Sequence, residues 1–179
     1  MAIIKELRGF VPKLGKGCFF AENAVIIGDV IAGESCSFWY GSVVRGDVNS
    51  IRIGNNVNIQ DGAVIHCNYK DSVTIIGDNV SIGHNAIVHG AAIGNNVLIG
   101  MGAIVMDHAI IGDNCLIAAG CIITKHMQTE PGSVYAGIPA KKIKSFKPEQ
   151  LGRMTLRSAD QYRMYLDWYR EEEGKGNNE

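Results

Sequence analysis

Residues 76–122 read IGDNVS IGHNAI VHGAA IGNNVL IGMGAI VMDHAI IGDNCL IAAGCI, a series of six-residue units that includes one unit of five. Each unit opens with isoleucine or valine, and the fifth residue of a full unit is small or branched. Alternation along a short strand then points both positions inward. The third and fourth residues are often Asn, Asp or Gly, which tolerate a left-handed backbone at low cost and therefore mark a corner.

Less regular units extend this pattern toward the N terminus, with openings at residues 27, 32, 38, 44, 53, 59 and 65. A short strand and a corner every six residues close a triangular coil with three units per turn, which is the hexapeptide β-helix. We therefore predict an all-β fold, a parallel β-helix of hexapeptide repeats. A β-sandwich is the alternative, but it does not explain the regular first and fifth positions.

The pattern changes after Lys147, which divides the chain into three segments. Residues 1–147 are predicted to form the β-helix with its N-terminal lead-in and closing segment. Pro148 suits the first turn of a helix, and residues 148–173 are predicted to form a C-terminal α-helix packed on the coil. Its apolar residues lie near helical spacing: Leu151, Met154, Tyr162, Leu166 and Tyr169. Residues 174–179 are predicted to be a frayed tail.

The composition excludes several functional classes. A formal net charge of −1 gives no basic field, so we expect no nucleic-acid partner. No run of about 18 apolar residues is present, so we expect no membrane helix, and the N terminus lacks the pattern of a secretory signal. Five cysteines, an odd number without framework spacing, fit a reducing cytoplasm. Cys36, Cys115 and Cys121 occupy fifth positions, where we read them as small buried hydrophobes.

Taking the units in turn assigns each opening to one of three faces. Face A holds openings 44, 65, 88, 105 and 123, face B holds 53, 76, 93 and 111, and face C holds 59, 82, 99 and 117. Two longer gaps predict small loops at the A–B corner, containing residues 46–50 and 67–72. His66 and His89 then point outward from neighbouring strands of face A, about 4.8 Å apart. Two imidazoles at this spacing can share a metal, each at about 2.0–2.1 Å.

His84 lies elsewhere, at the corner between faces C and A. The segment from His84 to His89 spans roughly 13–16 Å at ~3.3 Å per residue, too far for a shared metal within one chain. A cyclic homotrimer solves this, because His66 and His89 of one subunit can meet His84 of the next. Arg45 and Asp61 can form an ion pair across the same interface. The alternative is that these are ordinary surface histidines, which is how we read His108 and His126.

Three motifs carry a family resemblance: RGD at 45–47, NIQDGAVIH at 58–66 and GHNAIVHG at 83–90. In this order on a hexapeptide repeat they resemble γ-class carbonic anhydrases and their bacterial homologues. The resemblance implies a left-handed β-helix, a homotrimer, and metal ligands His66, His84 and His89. It also implies an intersubunit ion pair of Arg45 and Asp61 with Asp47 beside it. Further implied site residues are Gln60 near the metal-bound water, Asn58 supporting it, and Tyr162 in SADQY at 158–162.

The activity that the resemblance implies is reversible hydration of carbon dioxide to bicarbonate. Three neutral imidazoles leave an open position for water on Zn²⁺, which lowers the pKa of that water toward ~7. Fe²⁺ or Co²⁺ can occupy the same ligands. Two departures predict slow turnover. Val48 stands where the archetypal enzymes carry a glutamate, and the short loop CNYKDS at 67–72 lacks their acidic insertion with its proton-shuttling glutamate.

Two other functions remain open at this stage. Hexapeptide β-helices also carry CoA-dependent acyltransferases, and PGSVYAGIPAKKIK at 131–144 resembles the segment that closes such coils. A thioester hydrolase using the same metal site is a related possibility. A non-catalytic trimer with a structural metal is the third hypothesis.

Overall fold

The computed structural model describes residues 1–175, so residues 176–179 of the predicted tail at 174–179 lie outside the described residues. Within the C-terminal helix, the side-chain surroundings are described for residues 150, 153 and 155–169. The chain forms a left-handed β-helix followed by one α-helix, which confirms the predicted fold class. The elements are β1 Ile3–Lys5, β2 Lys13–Leu14, β3 Phe19–Phe20, β4 Val25–Ala32, β5 Ser37–Phe38, β6 Val43–Ile53, β7 Asn58–Ile59, β8 Val64–His66, β9 Thr74–Ile76, β10 Ser81–Ile82, β11 Ile87–His89, β12 Ala92–Ile93, β13 Leu98–Ile99, β14 Ile104–Val105, β15 Ile110–Ile111, β16 Leu116–Ile117, β17 Ile122–Ile123, β18 Ser133–Ala136, β19 Lys141–Ser145 and α1 Pro148–Lys175.

Strand pairing confirms the three faces. The openings of face A pair in parallel register, as do those of face B and face C, in the order Val44, Ile65, Val88, Val105, Ile123; Ile53, Ile76, Ile93, Ile111; and Ile59, Ile82, Ile99, Ile117. Faces A and B belong to one 11-stranded sheet because β4 and β6 run from one face onto the next, whereas face C is a separate 8-stranded sheet. The register fixes which outward side chains become neighbours.

The first predicted loop is wrong. Residues 46–50 remain within the continuous strand β6, and the extra length is absorbed by a register shift against β4 after Gly28. Four residues separate Gly46 from Ile51, whereas Asp29 alone separates Gly28 from Val30, so the strand bulges without leaving the sheet. The second predicted loop, residues 67–72, does interrupt the strands.

The core lies inside the triangular coil, as the first and fifth positions predicted. The isoleucines that open the face C units are fully buried, and Cys36, Cys115 and Cys121 are buried with them. Val48, the fifth residue of the unit at 44, is only partly buried because the bulge in β6 carries it away from the interior. Burial of stacked aliphatic side chains along the coil axis is the main source of stability.

The corner between faces B and C is highly regular. The left-handed residue is the fourth of each unit, and here it is an asparagine with φ of 54–56°: Asn56, Asn79, Asn96 and Asn114. These four residues, the asparagine ladder, join successive coils by side-chain amide bonds of 2.9–3.1 Å. The third residue of a unit adds a second link, since its side-chain oxygen accepts a backbone N–H of the preceding coil at 2.6–2.9 Å.

The described part of helix α1 spans Pro148–Lys175, whereas the predicted segment was 148–173. It packs on face C: Thr155, Ala159 and Leu166 are buried, and the rings of Tyr162 and Tyr169 meet Trp39 edge-on at 5.3 and 5.4 Å. The side chains of Leu151 and Met154 lie outside the described part. Over residues 1–175, no helix has the length and apolar character needed to cross a bilayer.

Candidate metal centre

His66 and His89 form a side-by-side pair on face A. They end β8 and β11 at the same register position, so both rings project outward from adjacent coils. The Nδ1 atom of His66 lies 3.1 Å from the Nε2 atom of His89. Two nitrogens bound to one tetrahedral metal at about 2.0–2.1 Å would be roughly 3.3 Å apart. The spacing of the pair therefore fits a shared cation with little movement.

A carboxylate holds the other nitrogen of each ring. His66 Nε2 lies 3.0 Å from Asp47 Oδ1, and His89 Nδ1 lies 2.9 Å from Asp107 Oδ1. Because an ionised carboxylate only accepts hydrogen bonds, these outer nitrogens carry the protons. The two facing nitrogens then both present lone pairs to the space between them. That arrangement is unfavourable for two neutral rings alone and is what a bound cation requires.

The charges of this cluster are set by burial and hydrogen bonding. Burial alone would raise the pKa of Asp47, but hydrogen bonds from His66 and Arg45 outweigh it and lower that pKa below its ordinary value. Asp107 behaves alike: hydrogen bonds from Ser72 and His89 overcome burial and lower its pKa. Burial lowers the pKa of His66. Ionised carboxylates and a neutral imidazole are the protonation states that metal ligation needs.

His84 is placed at the C–A corner, away from the pair. Its Nδ1 atom lies 2.8 Å from Asp61 Oδ2, and its Nε2 atom lies 3.4 Å from the Tyr162 hydroxyl. Within residues 1–175 of a single chain, no three His, Cys, Asp or Glu side chains form a group that could hold a metal ion. One chain thus holds two histidines together on face A and places His84 apart from them at the C–A corner.

A groove runs between face C and α1 beside His84. It has a volume of about 380 Å³ and includes Gln60, Leu98, Ser158 and Tyr162 in its lining. Gln60 is buried and donates from Nε2 to Asn58 Oδ1 at 3.0 Å. Asn58 in turn donates to Ser81 Oγ at 2.8 Å. Gln60, His84 and Tyr162 therefore line one groove, and Asn58 holds Gln60 in it.

The predicted ion-pair residues have partners within the chain. Arg45 forms an ion pair with Asp47, the residue that also holds His66, and Asp61 contacts His84. The side chains of Arg45 and Asp61 are both 43% exposed, so both remain accessible to a neighbouring subunit. Their pairing with each other across an interface stays a prediction.

Sequence reasoning missed Asp107 and its two supports, Asn68 and Ser72. Asp107 is the third residue of a face A unit, one coil beyond His89, and Asn68 and Ser72 lie in the 67–72 loop. The available signal was a carboxylate at the corner one coil beyond a predicted ligand histidine. His108 and His126 stack with ring centroids 5.0 Å apart, at the left-handed fourth position of their units.

Two family models match the coil. The one described as bacterial transferase hexapeptide (six repeats) matches residues 90–125, and the one described as hexapeptide repeat of succinyl-transferase matches residues 73–106. A solved Bacillus cereus structure, described as a candidate acetyltransferase, is similar with a TM-score of 0.89 and 34% identity, covering 95% of this chain and 98% of that one. Fold and repeat thus define a hexapeptide-repeat β-helix protein.

Relatives narrow this class. A Methanocaldococcus jannaschii protein named as a probable carbonic anhydrase is 48% identical over 138 residues, which are 77% of this chain and 86% of that protein. The mitochondrial γ carbonic anhydrase 2 of Arabidopsis thaliana is 36% identical over 145 residues, 78% of this chain. This chain spans about half of that longer relative, 52% of its length. The chain belongs to the γ-class carbonic anhydrase-like family.

Proposed function

We propose that this protein hydrates carbon dioxide reversibly to bicarbonate, at sites shared between the subunits of a homotrimer. The observation that carries the proposal is the His66–His89 pair, whose facing nitrogens lie 3.1 Å apart while carboxylates hold the outer ones. His84 of the adjacent subunit completes the ligand set. A bound divalent metal, zinc in our proposal with ferrous iron or cobalt(II) as alternatives, supplies the Lewis acidity that makes water nucleophilic near neutral pH.

The carboxylates prepare the histidines for this role. Asp47 and Asp107 keep protons on the outer nitrogens of His66 and His89, so the inner lone pairs converge. Asp61 does the same for His84, because it binds Nδ1 and leaves Nε2 unprotonated. Each proposed ligand therefore has its own carboxylate at 2.8–3.0 Å.

The groove beside His84 is where we place the carbon dioxide substrate. Its aliphatic lining suits carbon dioxide, a small apolar molecule. Gln60 is held by Asn58 through Nε2, so its carbonyl oxygen is the group available to orient the nucleophile. Burial, followed by the charge of Asp61, raises the pKa of Tyr162 to about 12, so its hydroxyl stays a hydrogen-bond donor at neutral pH. We assign Tyr162 to hydrogen bonding at the reaction centre.

The surroundings of the pair support slow rather than fast turnover. Val48 offers no proton acceptor, and Asp71, the only acidic residue in the 67–72 sequence, lies 3.3 Å from His108. Exporting a proton is a separate step that needs an acceptor of suitable pKa. The rate of carbon dioxide hydration should therefore depend on the buffer concentration. The five free cysteines support a reducing, cytoplasmic setting.

One experiment separates the candidate functions. Metal content per chain is measured on purified protein, and carbon dioxide hydration is assayed beside acetyl-CoA turnover, before and after chelation. We expect metal, hydration that chelation abolishes, and no CoA turnover. CoA turnover by metal-free protein would instead favour the acyltransferase, which the likeness to the Bacillus cereus structure keeps as second candidate. Metal that stabilises the trimer without hydration would favour the structural role.

A further inference from the structure

Asp107 accepts three side-chain hydrogen bonds on a single carboxylate oxygen. Its Oδ1 atom accepts hydrogen bonds from His89 Nδ1 at 2.9 Å, Ser72 Oγ at 2.8 Å and Asn68 Nδ2 at 2.9 Å. The side chain is only 16% exposed. Charge-assisted hydrogen bonds of this kind are short and directional. The carboxylate oxygen is therefore held in a fixed position beside the Nδ1 atom of His89.

Gly90 provides an independent observation. A Cβ atom built on this residue would overlap Ser72 Oγ and Asp107 Oδ1, and its φ of +57° disfavours other residues as well. The space beside His89 that a side chain would fill is thus occupied by the Ser72–Asp107 hydrogen bond. Gly90, the last glycine of the GHNAIVHG motif, therefore leaves room for the Ser72–Asp107 hydrogen bond beside His89.

We propose that Asp107 is the positioning residue for His89, and that the 67–72 loop serves in this chain to fix Asp107. The proposal rests on the proposed function, in which His89 binds a metal. The carboxylate holds the proton on Nδ1, leaves Nε2 as the ligand atom, and increases the basicity of the ring. Asn68 and Ser72 come from opposite ends of the loop and meet on one oxygen. The loop thereby controls the orientation of a ligand it does not contain.

The rival explanation is that Asp107 only tethers the loop. Asp107→Asn tests this, because the amide keeps the shape and an acceptor oxygen but removes the charge. Asp71→Asn is the matched control: it removes one negative charge from the same loop, and its partner is His108. Ser72→Ala removes one bond between the loop and Asp107 and leaves the bond between Asp107 and His89.

Zinc affinity of the intact oligomer is measured by competition with a chelator, and the protonated ring nitrogen of His89 is identified by ¹⁵N NMR of metal-free protein. We expect Asp107→Asn to weaken zinc binding about 10–100-fold and to shift the proton of His89 away from Nδ1. Ser72→Ala should weaken zinc binding less, and Asp71→Asn should leave affinity and tautomer unchanged.

Two results would overturn the proposal. One is an unchanged His89 tautomer in Asp107→Asn. The other is an equal loss of zinc affinity in Asp107→Asn and Ser72→Ala, since that is the result of tethering alone. Wild-type protein that binds neither zinc nor ferrous iron nor cobalt(II) would instead refute the proposed function, while the tautomer measurement would still decide whether Asp107 positions His89.

Discussion

At the B–C corner the coil repeats itself: an asparagine holds the left-handed position in four successive coils, and its amide bonds to the same residue of the next coil. At the A–B corner the repeat is interrupted by the bulge in β6 and the 67–72 loop, and carboxylates bind histidines. Both corners belong to the same coil, whose strands pair in parallel from one turn to the next. The regular corner links successive coils, and the irregular corner holds the His66–His89 pair with its carboxylates.

The largest effect should come from removing the proposed ligands, His66 beside the irregular corner and His84 at the C–A corner. His66→Ala and His84→Ala should each abolish metal binding while leaving the fold intact, since both side chains point outward. Because we propose that each site combines two subunits, unfolding and co-refolding the two variants together should restore metal to part of the mixed trimers. Metal content after mixing is the measurement. No recovery in verified mixed trimers would contradict shared sites.

A substitution at the regular corner should lower the stability of the fold and leave metal binding unchanged. A Cβ on Gly54 would overlap Asp78 Oδ1 and approach the backbone of Gly77. Gly54→Ala should therefore destabilise the protein by about 1–3 kcal/mol through overpacking. Denaturant unfolding measures this, and zinc affinity of the folded variant should match wild type. A large fall in affinity would show that the two corners are coupled.

The asparagine ladder itself should give a smaller loss. Asn79→Ala removes two ladder bonds and places alanine at a φ of 56°, for a combined cost of roughly 1–2 kcal/mol. Asn79→Gly loses the same bonds but tolerates the backbone, so it should cost less. The difference between the two unfolding free energies isolates backbone strain. Equal values would mean that the hydrogen bonds alone determine the cost.

The smallest expected effect concerns the loop at the irregular corner. If the 67–72 loop positions a ligand instead of accepting protons, added imidazole buffer should raise carbon dioxide hydration several-fold by serving as the proton acceptor. Stopped-flow rates across buffer concentrations at constant pH and ionic strength are the measurement. Rates independent of buffer would indicate an internal proton acceptor that we have not identified.

Much of the architecture follows from the sequence because the period is set by backbone hydrogen bonding. Once the units are counted, parallel register makes His66 and His89 neighbours and leaves His84 at another corner. The same counting fails where the chain departs from the six-residue period. It predicted a loop at residues 46–50, but β6 absorbs the added residues as a bulge.

The side chains that hydrogen-bond to the proposed ligands were harder to predict. Asp107 meets Asn68 and Ser72 through a loop whose conformation no periodicity specifies. Asp61 could be placed at the correct corner, yet its contact with His84 depends on side-chain rotamers. Position along a repeat therefore predicts which residues share an edge, while the hydrogen bonds among them require coordinates.

The parallel pairing of each coil with only its two neighbours has a consequence for how the molecule comes apart. Stability in such a stack is close to a sum of nearest-neighbour terms, and unfolding can proceed coil by coil from either end. The strands that carry His66 and His89 have further strands of face A on both sides. Fraying from the ends should reach this pair last, so partly unfolded chains should still retain it. Hydrogen exchange should then be slowest in the coils around β8 and β11.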